Sequence, residues 1–346
     1  MPGIEEITWL EIRDKLPYVK FGEYLFAKEQ NGIVTFSYTG EVADLHKLAS
    51  SESEFLQALS LPKLSRSRRD LAAIRDAVAK GEELGRATNQ LMRYRQLSRP
   101  PSYRVISRTF GAHDYRVAEV ERAVLQGMQA RYPRWTPVLD GPQVELWVNL
   151  LGSHLLCGYR ITDKKAKRAH KLRDGGTGGL RPSVAAAMIQ LTQPEKDDWF
   201  LDPFCGNGIL LHERKLAGPF AHLWGAAIDV AQISLTERNL TPRRKRSLPP
   251  TISLATWVDN SLPLEAGSVD KIATSLLGMR GVKITAVFRE ISRALRAGGT
   301  AVVLSSEYDK IKNTLRSLPN LEITTGYSVK PGARWGRIYI IKKIRD

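Results

Sequence analysis

The sequence predicts an α/β protein whose second half is a doubly wound parallel sheet finished by an edge hairpin. Three observations predict it. From Trp199 on, short apolar runs alternate with amphipathic stretches, the βαβα order that builds parallel sheets. At the head of that alternation an apolar run, Trp199 to Leu201, meets Asp202-Pro203-Phe204-Cys205-Gly206-Asn207-Gly208 and then Ile209 to Arg214, which reads as strand, tight turn and helix. The first half also mixes helical and period-two patterns, and no internal repeat is apparent. The 346 residues suit two or three domains of about 100–200 residues each.

In chain order, Ile4, Ile7, Leu10, Ile12 and Leu16 recur at near-helical spacing, so residues 4–16 read as an amphipathic helix. Gly32 to Tyr38 is rich in β-formers, and Val42 to Leu59 is expected as a helix. A basic stretch, Lys63 to Arg69, precedes a helix over Asp70 to Met92, which Arg93 to Pro101 ends. Tyr103 to Phe110 alternates as a strand with arginines on one face; Val117 to Arg131 is a helix; Gln143 to Leu151 and Leu155 to Ile161 are strands. Lys164 to Arg173 is a run of cations before the glycine-rich Gly175 to Gly179, a linker or a loop beside a site. Leu180-Arg181-Pro182-Ser183 opens a helix, with proline at an early position. Strands are expected at Phe200-Leu201, Leu223 to Ile228, Ile252 to Leu254, Lys271 to Thr274 and Thr300 to Leu304, with a hairpin over Leu321 to Ile341. Helices are expected at Ile209 to Lys215, Val230 to Asn239, Val282 to Arg296 and Asp309 to Arg316. The expected domains are 1–62, a small α/β unit; 63–165, a second α/β unit; 166–179, a linker; and 180–346, the doubly wound sheet.

The net charge is +16 and the pI about 9.9, an excess that points to a polyanionic partner, most simply nucleic acid. The two cysteines, Cys157 and Cys205, form no C-x-x-C pair, and no metal is expected. No apolar run reaches the length of a membrane span and no leader is apparent, so the expected location is the cytoplasm. In the glycine turn, Gly206 and Gly208 let backbone N–H groups approach a ligand. The helix start behind them favours carboxylate or phosphate, and Asp202 reaches the same crevice.

These residues carry a family likeness. Asp202-Pro203-Phe204-Cys205-Gly206-Asn207-Gly208 resembles the first motif of S-adenosylmethionine-dependent methyltransferases. Leu180-Arg181-Pro182-Ser183 with its alanine-rich helix is similar to the entry to the catalytic domain of THUMP-domain RNA methyltransferases. Tyr103-Arg104-Val105 through His113, and Gln143 to Arg168, resemble the two ends of a THUMP module, and the Pro2 to Glu6 opening resembles the domain before it. The likeness runs through nearly the whole chain and is nearest to enzymes that methylate the exocyclic N2 of guanine in tRNA. It implies a Rossmann-like catalytic domain, S-adenosylmethionine as cofactor and RNA, tRNA above all, as partner.

The resemblance also implies roles. The cofactor set would be Arg181, Pro182, Asp202, Phe204, Cys205, Gly206, Asn207 and Gly208, with Asp229 for the ribose and Asp259 for the adenine. Both acids depart from the pattern: Ala227 stands in the strict ribose position, and Asp229 either reaches the ribose or caps the next helix. Val258 stands in the strict adenine position, leaving Asp259 as ligand or as a loop residue making its own turn. The base-binding [DN]-P-P-[YFW] slot reads Ser275-Leu276-Leu277-Gly278, without the prolines or the ring. The alternative reading is therefore an RNA-binding protein that keeps the fold without catalysis. RNA contacts are expected from Arg66, Arg68, Arg69, Arg104, Arg108, Lys164, Lys165, Lys167 and Arg168. Tyr94, Tyr103 and Tyr115 are stacking or packing residues, His113 a loop or RNA contact, and His212-Glu213 a partly exposed helix face.

Overall fold

The computed structural model describes every residue except 1, 27–31, 163–166, 168, 175–178, 243–244, 246, 258–260, 280–282, 333–334 and 346. Contacts divide the chain into two compact units, one of residues 1–19, 47–52 and 165–346, the other of residues 20–46 and 53–164. This division passes within a residue of the expected boundary at 165 and does not fall at 62 or 179, because β3 pairs across residue 62 and the stretch after 165 goes with the first unit.

In the first unit, α1 (Glu5–Lys15) buries Ile7 and Ile12. Its buried Glu11 accepts hydrogen bonds from the Ala49 and Ser50 N–H groups at 2.8 and 2.9 Å. Ile4 and Ile7 enter the core that α5 (Pro182–Leu191) builds from Val184, Ala185, Ala187 and Met188. The small side chains of α5 let it lie close to its neighbours.

The seven-stranded sheet of this unit runs β10 (Ile252–Thr256), β9 (His222–Ala227), β8 (Trp199–Asp202), β11 (Val269–Ser275), β12 (Leu295–Ser305), β14 (Gly336–Lys343), β13 (Leu321–Val329). The first five are parallel; β14 is antiparallel to both β12 and β13. The expected doubly wound sheet and its edge hairpin are thus present. The central strands are apolar on both faces, as a sheet covered on both sides requires: Phe200, Leu201, Ile272, Ala273 and Ala301 to Leu304 are all buried. The helices between them are α6 (Ile209–Leu216), α7 (Val230–Leu240), α8 (Ile284–Ala294) and α9 (Tyr308–Arg316). Strand order reverses between β8 and β11, which opens a crevice at their carboxyl ends.

The second unit carries a hairpin, β1 (Lys20–Leu25) with β2 (Ile33–Ser37), and a five-stranded sheet ordered β3 (Phe55–Leu61), β7 (His154–Arg160), β6 (Val144–Leu151), β4 (Ser102–Phe110), β5 (Thr136–Pro137). Helices α2 (Arg69–Lys80), α3 (Glu82–Tyr94) and α4 (Val117–Arg131) share its core with Tyr103, Val105, Val144, Leu146, Val148, Leu150 and Tyr159. Two expectations are corrected here. Val42 to Leu59 is not a helix: Val42–Lys47 is a short 3-10 turn, and Phe55–Leu61 is a strand that pairs antiparallel with β7. The run Asp70 to Met92 is two helices, because Gly81 takes an extended conformation (φ −62°, ψ 125°) and ends the first.

Candidate functional site

The crevice is built on the turn after β8. Asp202 ends the strand almost fully buried, and its carboxylate accepts from the Phe204 N–H at 3.2 Å. Burial pushes its carboxyl up to about 7, against the pull of the Thr274 hydroxyl and the Phe204 N–H. Gly206 (φ +54°) and Gly208 (φ +82°) take the left-handed conformation. A Cβ on Gly208 would meet Thr236 Cγ2 at 2.9 Å, whereas over Gly206 it would enter open space, with Phe204 O at 4.0 Å its nearest neighbour. Cys205 is buried in the turn and donates its N–H to Ala226 O at 2.8 Å.

Three successive carbonyls of the turn are taken from within the protein. Cys205 O accepts from the Gly208 N–H at 2.6 Å, Gly206 O from the Thr236 hydroxyl at 2.9 Å, and Asn207 O from the Asn239 amide at 2.9 Å. Asn239 also donates to Asp174 O at 3.0 Å and accepts from the Asp174 N–H at 2.9 Å. The mostly buried amide thus ties the glycine turn to the chain leading out of the basic run. Neither Thr236 nor Asn239 was picked out in the sequence; both lie on one face of an ordinary-looking helix.

Of the two acids, Asp229 does what helix-start chemistry asks: exposed, it accepts from the Ala231 N–H at 2.8 Å and caps α7. Ala227, in the strict ribose position, is buried, and its carbonyl accepts from the Trp257 N–H at 3.1 Å. Ile228 and Val230 stand exposed at the same edge. Trp257 stacks on Phe204 (5.0 Å, 17°) and donates to Pro203 O at 2.6 Å. Asp259 lies outside the described residues. Arg181 is the N-cap residue of α5 and pairs with Glu52 at 3.3 Å, and Pro182 starts that helix.

At the next strand, Ser275 ends β11 half-buried, its Oγ accepting from the Leu277 N–H at 3.4 Å. Leu276 extends the ladder by one residue, donating its N–H to Leu304 O at 2.8 Å, and packs into the core beside Phe204 and Leu201. A proline could not make that bond. Leu276 is therefore a wall of the crevice and not a polar contact within it; Gly278 turns the chain away at φ +73°. Two rings missed in the sequence reading stand at this edge, Tyr308 and Trp335, each about half exposed at 49% and 50%. A Cβ on Gly336, next to Trp335, would lie 3.4 Å from Leu277 Cδ2.

Residues 170–335 match the family described as RMKL-like, methyltransferase domain. The U6 snRNA (guanine-N(2))-methyltransferase THUMPD2 of Homo sapiens is 32% identical over 180 residues, 50% of this chain and 34% of that protein. The tRNA (guanine(6)-N2)-methyltransferase of Thermus thermophilus is 25% identical over 256 residues, 70% of this chain and 73% of that one. The crystal structure of TrmN from Thermus thermophilus shares the fold, with a TM-score of 0.70 at 20% identity over 99% of this chain and 97% of that chain. The chain spans less than half the length of the mammalian relatives it matches; the Bos taurus THUMPD2 alignment covers 40% of that protein.

The unit that holds the seven-stranded sheet has a further hollow of about 720 Å³ at the amino ends of its parallel strands, lined by Arg289, Arg293, Arg296 and Lys343. Arg293 is held by Glu290 at 2.8 Å and Arg296 pairs with Asp270, so this hollow is a braced corner of the fold. His170 and Glu213 pair at 2.8 Å with Glu213 buried, and His212 bonds Ala169 O at 2.6 Å. The α6 face is partly exposed at His212, as expected, and buried at Glu213, and it carries the end of the basic run.

The expected RNA cations separate. Arg66, Arg68, Arg69, Arg104 and Arg108 are exposed on the second unit, Arg68 pairing with Glu119 at 2.5 Å. Lys167 donates to the carbonyls of Leu48 and Ser51 at 2.8 Å each. Lys164, Lys165 and Arg168 lie outside the described residues. His113 bonds the Gly111 and Gly152 carbonyls and so closes a loop. Tyr103 and Tyr115 are packing residues, buried at 0% and 6% exposure, and Tyr94 bonds His46 at 2.6 Å. Among the described residues no cluster of metal-ligating side chains occurs, and no helix is long and apolar enough to cross a membrane.

Proposed function

We propose that this protein transfers a methyl group from S-adenosylmethionine to the exocyclic N2 of a guanine in a structured RNA. The observation that carries the reading is the glycine turn. Gly206 leaves open space above its backbone, three carbonyls are drawn inward, and buried Asp202 sits at the point where strand order reverses. That cradle fits a ligand with a cationic amino-acid end, held by the turn and Asp202. Arg181, Pro182, Phe204, Cys205, Asn207 and Gly208 belong to the same set. The exposed Ile228 and Val230 and the Trp257–Phe204 stack offer apolar surface for an adenine. Asp229 is engaged as a cap and is the weaker part of the set. The relatives that this chain resembles are named as guanine-N2 methyltransferases of tRNA or of U6 snRNA, which supports guanine as the target base.

When bound, the cofactor supplies an electrophilic methyl on sulfur. The chain's work is to present an amine nitrogen in line with it and to accept the amine's hydrogens. Ser275 Oγ is the side-chain acceptor at the end of β11, where the family pattern has an Asp or Asn. Leu276 and Leu277 keep water from the crevice. Tyr308 and Trp335 are the rings available to stack on a base that has left its helix.

The test is calorimetric titration with S-adenosylmethionine, followed by incubation with RNA and nucleoside analysis. Binding and the appearance of N2-methylguanosine are expected, with Asp202→Ala abolishing both. No cofactor binding at millimolar concentration would overturn the reading. Binding without any methylated nucleoside would leave an RNA-binding protein that keeps the fold.

A further inference from the structure

The hollow at the amino ends of the parallel strands holds more positive charge than the fold itself uses. It is lined by Arg289, Ser292 and Arg293 of α8, Arg296 at the start of β12, Asn320, and Lys343 at the end of β14, and by no acidic side chain among the described residues. Its volume of about 720 Å³ is that of a site for a small organic ligand.

Most of the charge has a structural task. Lys343 is buried and donates to Leu295 O at 2.9 Å. With the Gly267 N–H, which bonds Arg293 O at 2.8 Å, it covers carbonyls at the negative end of α8. Arg293 commits its guanidinium to Glu290 at 2.8 Å and to the carbonyls of Leu262 and Leu264 at 3.0 and 2.6 Å. Arg296 meets Asp270, and that carboxylate also accepts from the Trp199 N–H at 2.7 Å. Arg289 has no such task. It is exposed, and among the described residues it has neither an ion-pair nor a hydrogen-bond partner. Ser292 Oγ accepts from the Asn320 amide at 2.8 Å, which leaves its own proton to donate. Four cations thus face two carboxylates, Glu290 and Asp270. The surplus of two positive charges falls to a wall that carries Arg289, the half-exposed Arg296 and the Ser292 hydroxyl.

We propose that this hollow binds the phosphate of a small free ligand, a phosphate monoester or a pyrophosphate. A guanidinium presents paired N–H donors that match two oxygens of a phosphate. The serine hydroxyl adds a further donor, and two surplus charges suit a dianion. The braces on Arg293 and Arg296 hold the wall in place before a ligand arrives, which lowers the cost of ordering it. A carboxylate would use one guanidinium and leave the second charge unmatched. A phosphodiester of an RNA backbone likewise carries a single charge. Position also argues against RNA: the seven residues of β11 put the hollow roughly 20 Å from Ser275, at the end of the strand opposite the crevice. The site stands independently of the methyl-transfer reading.

The experiment titrates the full chain with sodium pyrophosphate by calorimetry. Sodium chloride at the same ionic strength is the control, so that screening of a basic protein is separated from binding. Saturable binding is expected. Arg289→Ala is expected to weaken it on the order of tenfold or more, and Arg289→Lys, which keeps the charge without the fork, to fall between. Because Arg289 is exposed, both variants are expected to melt as the wild type does, read by circular dichroism. Absence of saturable binding at millimolar pyrophosphate would overturn the proposal. Wild-type affinity in a folded Arg289→Ala would overturn it too, and would put the anion elsewhere, at the glycine turn for example. A retardation assay with labelled RNA separates the other source of phosphate. Arg289→Ala is expected to leave RNA affinity within about twofold. A loss matching that for pyrophosphate would overturn the free ligand and give the hollow to the RNA backbone.

Discussion

Arg214 carries a charge into the interior. Its side chain has no exposed surface; Nη2 lies 3.2 Å from Asp198 and also donates to the carbonyls of Glu195 and Pro219. Arg214→Ala leaves Asp198 and these acceptors buried without their donor, so a loss of about 3–5 kcal/mol is expected in urea unfolding. Asp202 works the other way. Its folded carboxyl is raised to about 7 by burial, above the unfolded value near 4. Its contribution to stability is therefore fully present below about pH 4 and is lost as pH rises through 7, by about 1.4 kcal/mol per unit in between. Asp202→Asn should remove that slope from a plot of unfolding free energy against pH; an unchanged slope would place its origin elsewhere. Asn239→Ala removes three hydrogen bonds of a mostly buried amide and is expected to weaken cofactor binding on the order of tenfold or more, read by calorimetry.

At the scale of elements, the glycine turn and the strands after it were legible because short apolar runs punctuated by turn residues are what buried parallel strands look like. Helix α4 was legible from its period, and Val117–Arg131 has the expected bounds. Strand β3 was not: Phe55, Leu56 and Leu59 suit a helical stripe as well as a strand, and only pairing with β7, about a hundred residues away, decides. Within the site, Asp202 and the glycines announce themselves by type, while Asn239 is one polar residue among several on its helix and acquires meaning only from what it faces. Gly127 shows a similar dependence. It lies in α4 where α2 crosses, and a Cβ would meet Arg75 O at 2.6 Å and Val78 Cβ at 2.7 Å. Gly127→Ala is expected to lower the unfolding free energy by about 1–3 kcal/mol through overpacking, although alanine is the better helix former by about 1 kcal/mol. A rise in melting temperature would contradict this.

The molecule as a whole is laid out by a chain that leaves and re-enters its units. Residues 1–19 and 47–52 belong with 165–346, and the stretches between and after them belong to the other unit. A linear reading of domains missed this because nothing in residues 4–16 says which later helix will cover them. The expected consequence is that a fragment of residues 165–346 melts well below the full chain, and that a peptide of residues 1–19 added in trans restores part of the loss. A fragment as stable as the intact protein would mean that Ile4 and Ile7 contribute little to the core they enter.

The same layout sets a clock on synthesis. Helix α1 leaves the ribosome about 170 residues ahead of α5, its partner in the core. At translation speeds of about 5–20 residues per second, the apolar side of α1 waits roughly ten seconds to half a minute for its cover. During that interval the nascent chain presents Ile4, Ile7 and Ile12 to chaperones or to other nascent chains, so yield will depend on what meets this helix first.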